Sequence, residues 1–74
     1  MERAGRGEVN VYRIVIEQDH PDYTYRHKQQ FDVLAGTASV ALRKALRLAA
    51  HNGFHPRRRY DVSSLVELVN GVAR

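Results

Sequence analysis

The chain contains no cysteine. That excludes a disulfide staple and a thiolate metal site. A secreted mini-protein of this length usually depends on such a staple, so the composition points to the inside of a cell, a cytoplasm. Long apolar runs are missing as well. Met1 to Val9 holds none, which speaks against a secretory signal, and no stretch approaches the roughly 20 apolar residues of a membrane span. The five glycines are scattered and form neither a phosphate-cradling loop nor a dinucleotide fingerprint. Aromatic residues are sparse at 8%. None builds the aromatic motif with which some sheets stack RNA bases, and no helix-turn-helix pair is visible. Acidic residues are absent from the whole stretch between Val33 and Tyr60.

What remains is a single small domain. Its 74 residues are 43% hydrophobic, enough for a globular core rather than disorder. A chain this short buries only about 60% of the surface its unfolded form exposes. Net charge is +4 and the pI is about 10.0. That permits nucleic acid, an acidic protein or an anionic surface as partner. Arginine outnumbers lysine ten to two, which an arginine-rich proteome produces on compositional grounds alone.

The stretch from Thr37 to Gly53 organises the chain, because it is the clearest helix. Thr37 is a good N-cap, and Asn52-Gly53 is a stop. At 100° per residue Ala38, Ala41, Leu42, Ala45, Leu46, Leu48 and Ala49 fall on one side. Ser39, Arg43, Lys44, Arg47, Ala50 and His51 fall on the other, with Val40 as an apolar exception there. A stripe this rich in alanine suits close packing on a sheet. Phe54 just past the glycine is placed to pack back on the last helical turn.

Two strands precede the helix. Val9 to Glu17 is rich in β-branched and aromatic residues. Tyr12, Ile14 and Ile16 alternate with Val9, Val11, Arg13 and Val15, so both faces are apolar and a central strand is implied. Gln18 to Asp22 reads as a hairpin turn around Pro21. Tyr23 to Ala35 alternates cleanly, with Tyr23, Tyr25, His27, Gln29, Phe31 and Val33 toward the helix. Thirteen residues is long for one strand, so a bulge is expected near Lys28-Gln29. Tyr60 to Val69 admits two readings. Alternation makes it a strand; a capping box from Ser64 to Glu67 with Leu65, Leu68 and Val69 makes it a short helix. The strand is favoured, because a helix over a hairpin needs a third strand. The fold predicted is α+β: a small antiparallel sheet in the order β–β–α–β, with one amphipathic helix on one face. Residues 1–8 are read as an N-terminal arm, residues 9–74 as the domain, and Val72 to Arg74 as a tail.

The alanine-spaced helix (Ala41, Ala45, Ala49) and the last strand from Val62 to Leu68 resemble small uncharacterised proteins of phages and bacteria. The basic run before that strand is loosely similar to the large-subunit ribosomal protein family LX of archaea and eukaryotes. The resemblance implies a β–β–α–β fold and brings no catalytic residues.

Candidate chemistry is thin. His51 and His55 have the i, i+4 spacing of a helical metal pair, but Asn52-Gly53 breaks the helix between them and no carboxylate lies nearby in sequence, so no metal or other cofactor is expected. A hydrolase using His51, His55 and Asp61 is a remote reading, since Ser63 and Ser64 lack a glycine elbow. The informative feature is basic. Arg43, Lys44 and Arg47 share the outer helix face, and Arg57, Arg58 and Arg59 follow its end. Together they suggest a stripe for a phosphate backbone, with Arg26, Lys28, His51 and His55 as second-rank contacts. The same cations also suit a solvated face near a helix C-terminus. The sequence-level expectation is a non-enzymatic binding module, phage- or bacterium-derived, that engages nucleic acid or a nucleoprotein. The alternative is a phage-type inhibitor or assembly protein that grips a protein through a sheet edge and the apolar second face of the first strand. Either reading carries a homodimer or an obligate partner, because Val9, Val11 and Val15 leave an apolar strip where no helix lies.

Overall fold

The structure is a computed structural model that describes residues 9–20, 26–55, 57–69 and 72–73. It consists of β1 (Asn10–Asp19), β2 (Arg26–Ala35), α1 (Ala38–His51), β3 (Asp61–Val69) and β4 (Val72–Ala73). The strands form one antiparallel sheet in the order β2-β1-β3-β4. The β–β–α–β architecture is therefore present, and the segment that admitted two readings is strand over Asp61–Val69. Two residues read as tail, Val72 and Ala73, return to pair with Val69 and Leu68. The predicted arm, and the predicted strand positions Tyr23 to Tyr25, lie outside the described residues.

β1 is the central strand, as its two apolar faces implied. It runs further than its alternation suggested, because Gln18 and Asp19 pair with His27 and Arg26 instead of turning. Toward the helix it sends Tyr12, Ile14, Ile16 and Gln18, all buried. Opposite them on β2 stand Val33, Phe31, Gln29 and His27, with Phe31, Val33 and Ala35 buried. Ile14 and Ile16 are completely inaccessible; each side chain so placed stabilises the fold by about 1.5–3 kcal/mol.

The bulge sits elsewhere than expected. Pairing of β1 with β2 is uninterrupted through Lys28 and Gln29. The shift is in β3, where Val15 faces Ser64 but Ile16 faces Val62, so Ser63 is the extra residue. Its hydroxyl donates to the Val15 carbonyl at 3.4 Å. The physical reason is the apolar pattern. Val62 and Leu65 both belong on the helix face, against Ile16 and Ile14, and three residues cannot separate two same-face positions in a regular strand.

The helix starts and stops as its sequence dictates. The Thr37 hydroxyl accepts from the Val40 N–H at 3.3 Å. At the other end Gly53 takes φ +94° and the Phe54 N–H reaches the Ala49 carbonyl at 3.1 Å, the long bond of a Schellman closure. Phe54 does more than close the turn. It is buried, stacks on His27 with ring centroids 4.1 Å apart and meets Phe31 edge-on at 6.3 Å.

The buried helix face is narrower than predicted. Ala41, Ala45 and Ala49 make the close contact, while Leu42 and Leu46 are half-buried along its flank. Ala38 and Leu48 are exposed, Leu48 by 42%. The helix packs chiefly over β2, an edge strand, so side chains on that outer flank overhang the sheet. Val40, assigned to the wet side, packs against the core instead.

Candidate nucleic-acid interface

The site is built from α1, the loop that follows it and the start of β3. Arg43, Lys44 and Arg47 are exposed on the helix. Lys44 leans over the sheet edge, where its Nζ donates to the Leu34 carbonyl at 2.7 Å. That lysine covers one outward-facing carbonyl of edge strand β2, a common guard against unwanted strand pairing. His51 is the last helical residue and is exposed.

The loop from Phe54 to Tyr60 carries Arg57, Arg58 and Arg59, all exposed. It is fixed from below by a side chain the sequence reading missed. Gln18 is only 4% exposed. Its Nε2 donates to the His55 carbonyl at 2.8 Å and to the Arg58 carbonyl at 3.4 Å. Its Oε1 accepts the His55 N–H at 2.7 Å. The loop adds its own bonds, from the Arg58 N–H to the His55 carbonyl at 3.2 Å and from the Arg57 N–H to His55 Nδ1 at 3.3 Å. A buried amide that satisfies both sides of a loop holds its backbone in one arrangement. Its signal in the sequence is a glutamine in phase with Tyr12, Ile14 and Ile16, inside the stretch from Gln18 to Asp22 that reads as a hairpin turn.

The second-rank residues have different surroundings. Arg26 extends across three carboxylates: it bonds Asp61, and lies 3.3 Å from Asp19 and 3.8 Å from Glu17. Arg58 and Arg59 line one mixed-charge cleft with Arg26, Asp19 and Asp61. Lys28 faces Glu17 across the sheet. Among the described residues no three potential metal ligands gather, and no described helix is long and apolar enough to cross a membrane.

Above the loop anchor lies a cavity of about 220 Å³ between α1 and the start of β3. Ile16, Leu46, Ala49 and Phe54 form its apolar walls, with His55 and Tyr60 among its lining. Tyr60 is 38% exposed.

The opposite face of the sheet has no helix. Leu34, Val11 and Leu68 form one apolar row across three strands, with Leu34 58% exposed. In the next row Arg13 grips Asp32 with both prongs, at 3.0 and 3.1 Å. This hydrogen-bonded pairing lowers the Asp32 pKa and raises that of Arg13. Compared with protein-family models, curated proteins and solved structures, the chain matches none.

Proposed function

We propose that this protein is a small non-enzymatic nucleic-acid-binding module that grips the phosphate backbone through Arg57, Arg58 and Arg59, assisted by Arg43 and Arg47. The observation that carries the reading is the Gln18 anchor beneath three exposed arginines. Holding a basic loop in one shape removes part of the ordering cost that binding otherwise imposes. Arginine suits the task because its planar fork can make two hydrogen bonds to one phosphate. Arg26 and Lys44 have protein partners and serve as scaffold in this reading. Contacts of this kind position a protein without reading sequence, so the expected Kd is on the order of micromolar at physiological salt.

The test is binding to labelled duplex DNA and RNA across a salt series. Each duplex phosphate contact contributes about 0.9 to the slope of log affinity against log salt. Replacing Arg57, Arg58 and Arg59 with alanine should lower that slope by about two to three units while leaving the fold intact. No binding at low salt by the parent protein refutes the reading.

The Leu34–Val11–Leu68 row favours a second reading, in which the open sheet face binds a protein, with another copy of this chain the simplest occupant. Sedimentation at high micromolar concentration should then show a dimer that Leu34→Lys dissolves; a monomeric parent protein ends that reading.

A further inference from the structure

We infer that the outer edge of β3 pairs with β3 of a second copy of this chain, running antiparallel, to give one continuous sheet. The inference goes beyond the phosphate-binding reading and does not depend on it. It starts from an asymmetry between the two edges of the sheet. The β2 edge is guarded, because Lys44 occupies the Leu34 carbonyl at 2.7 Å. The other edge is open. β4 pairs only with Leu68 and Val69. Residues 61–67 therefore have β1 on one side and, among the described residues, no strand on the other. Such a row of backbone groups is a template for another strand.

The bulge decides which strand fits. In an antiparallel ladder, successive residues point their N–H and C=O alternately to one neighbouring strand and the other. The Leu34 carbonyl points away from β1, so its partner Val11 points toward β3, and Leu68 opposite Val11 points back. Alternation then turns Val66 and Ser64 toward β1 and Leu65 outward. The Val15 carbonyl, reached by the Ser63 hydroxyl at 3.4 Å, agrees with this sense. Before the bulge, Asp61 faces Glu17 and points inward, so Val62 points outward. The outward groups of Val62 and Leu65 are thus three residues apart. A regular strand offers outward groups at every second residue and can meet only one of these two in register. A second copy of β3 has the same three-residue gap. Run antiparallel, it sets Val62 opposite Leu65 and Leu65 opposite Val62, and each pair exchanges two main-chain hydrogen bonds.

This register also suits the side chains. Val62 and Leu65 share the helix side of the sheet, Val62 37% exposed and Leu65 half-buried, so each covers apolar surface of the other copy. Ser63 meets Ser64 at the centre, Asp61 meets Val66, and Tyr60 meets Glu67, whose carboxylate can accept from a phenol. A slip of one residue sets Asp61 against Glu67, like charges in direct opposition, and puts the two gaps out of step. The length fits as well. β4 occupies the positions beside Leu68 and Val69, and the second copy leaves the ladder before reaching them, because its chain there is the loop that ends at Tyr60.

The experiment joins sedimentation of the full chain at high micromolar concentration to cysteine cross-linking. The parent protein should sediment as a dimer. Val62→Lys places a charge opposite Leu65, a natural guard of strand edges, and should sediment as a monomer with an unchanged thermal midpoint. Leu34→Lys, on the open face of the sheet, should remain dimeric. The chain has no cysteine, so introduced ones report alone. A variant carrying both Tyr60→Cys and Glu67→Cys should form a covalent dimer under mild oxidation. These positions are roughly 20 Å apart along one strand, so they cannot bond within a chain, and neither single variant should cross-link. The cross-link decides the matter if Val62→Lys disturbs folding. A monomeric parent with no cross-link overturns the inference and leaves nucleic-acid binding untouched. A dimer dissolved by Leu34→Lys and not by Val62→Lys assigns association to the open sheet face and overturns it as well. Single variants that cross-link as fast as the double one overturn the register, and the proposed pairing with it.

Discussion

Replacing Gln18 with leucine isolates the loop anchor from the arginines it supports. The substitution keeps the side chain buried and of similar volume but removes every polar contact. Two of its bonds are short, 2.8 and 2.7 Å, and each is worth about 0.5–1.5 kcal/mol net. The third, at 3.4 Å, is too long to add much. The sum is roughly 1–3 kcal/mol. The loop backbone is exposed enough for water to satisfy the groups left behind, and leucine gains apolar burial, so the lower half of that range is expected, about 1–2 kcal/mol. Against a total of about 4–11 kcal/mol for 74 residues at 0.05–0.15 each, that is a substantial fraction. In a thermal melt it corresponds to a fall of about 4–16 °C. Hydrogen exchange gives the local readout: the His55 amide, bonded to Gln18 Oε1, should exchange faster in the variant. Nucleic-acid affinity at fixed salt should drop while the salt slope stays the same, because all three arginines remain. A loss below about 0.5 kcal/mol, the range of ordinary surface changes, with unchanged exchange at His55, would falsify the claim that Gln18 holds the loop.

Other expectations are simpler. Gly53→Ala places a Cβ at φ +94°, 3.2 Å from His27 Cε1, and should cost about 1–2 kcal/mol for the left-handed backbone alone, measurable as a lower urea midpoint at constant m-value. Ala45→Leu forces extra volume into a fully inaccessible contact and should cost about 1–3 kcal/mol; a neutral result would mean that the helix does not approach the sheet closely. The Arg13–Asp32 pair gives a pH dependence of defined sign. The folded-state pKa of Asp32 lies below its ordinary value of 3.8. Its contribution is therefore complete above that value and disappears as pH falls through the lowered native one. Urea midpoints measured between about pH 5 and pH 2 should fall less steeply in Asp32→Asn than in the parent.

Local rules were readable where one residue decides the outcome. Thr37 and Gly53 bound the helix because a hydroxyl and a left-handed glycine are what its ends require. The alternation of Phe31 and Val33 placed β2, since one of its faces is buried and the other wet. Legibility failed where faces depend on distant partners. Leu48 lies in phase with the buried alanines, yet it is exposed because the helix sits over an edge strand. The segment from 60 to 69 also admits a helix in sequence, because Ser64 and Glu67 form a capping box and Leu65, Leu68 and Val69 keep helical spacing. Pairing with β1 decides for the strand: Ser64 to Leu68 pair in regular register with Val15 to Val11, and the bulge at Ser63 brings Val62 back opposite Ile16. At the candidate site the arginines were visible as a run of charge. Their anchor was not, because the contact between Gln18 and His55 spans 37 positions in sequence.

The bulge also governs how this strand tolerates length changes. A strand has a frame of two, and losing one residue exchanges the faces of everything on one side of the loss. Ser63 is the exception in β3. Ser64 already faces Val15 and Val62 already faces Ile16, so deleting Ser63 closes an interrupted ladder without moving either neighbour to the other face. Asp61 stays opposite Glu17, within reach of Arg26, and Tyr60 keeps its side of the sheet beside the cavity. Deleting Ser64, Leu65 or Val66 instead leaves the bulge residue to absorb the gap, and the strand regains frame only by taking Ser63 into the ladder. The extra serine is thus a spare position, through which β3 can shorten by one residue and keep both surfaces.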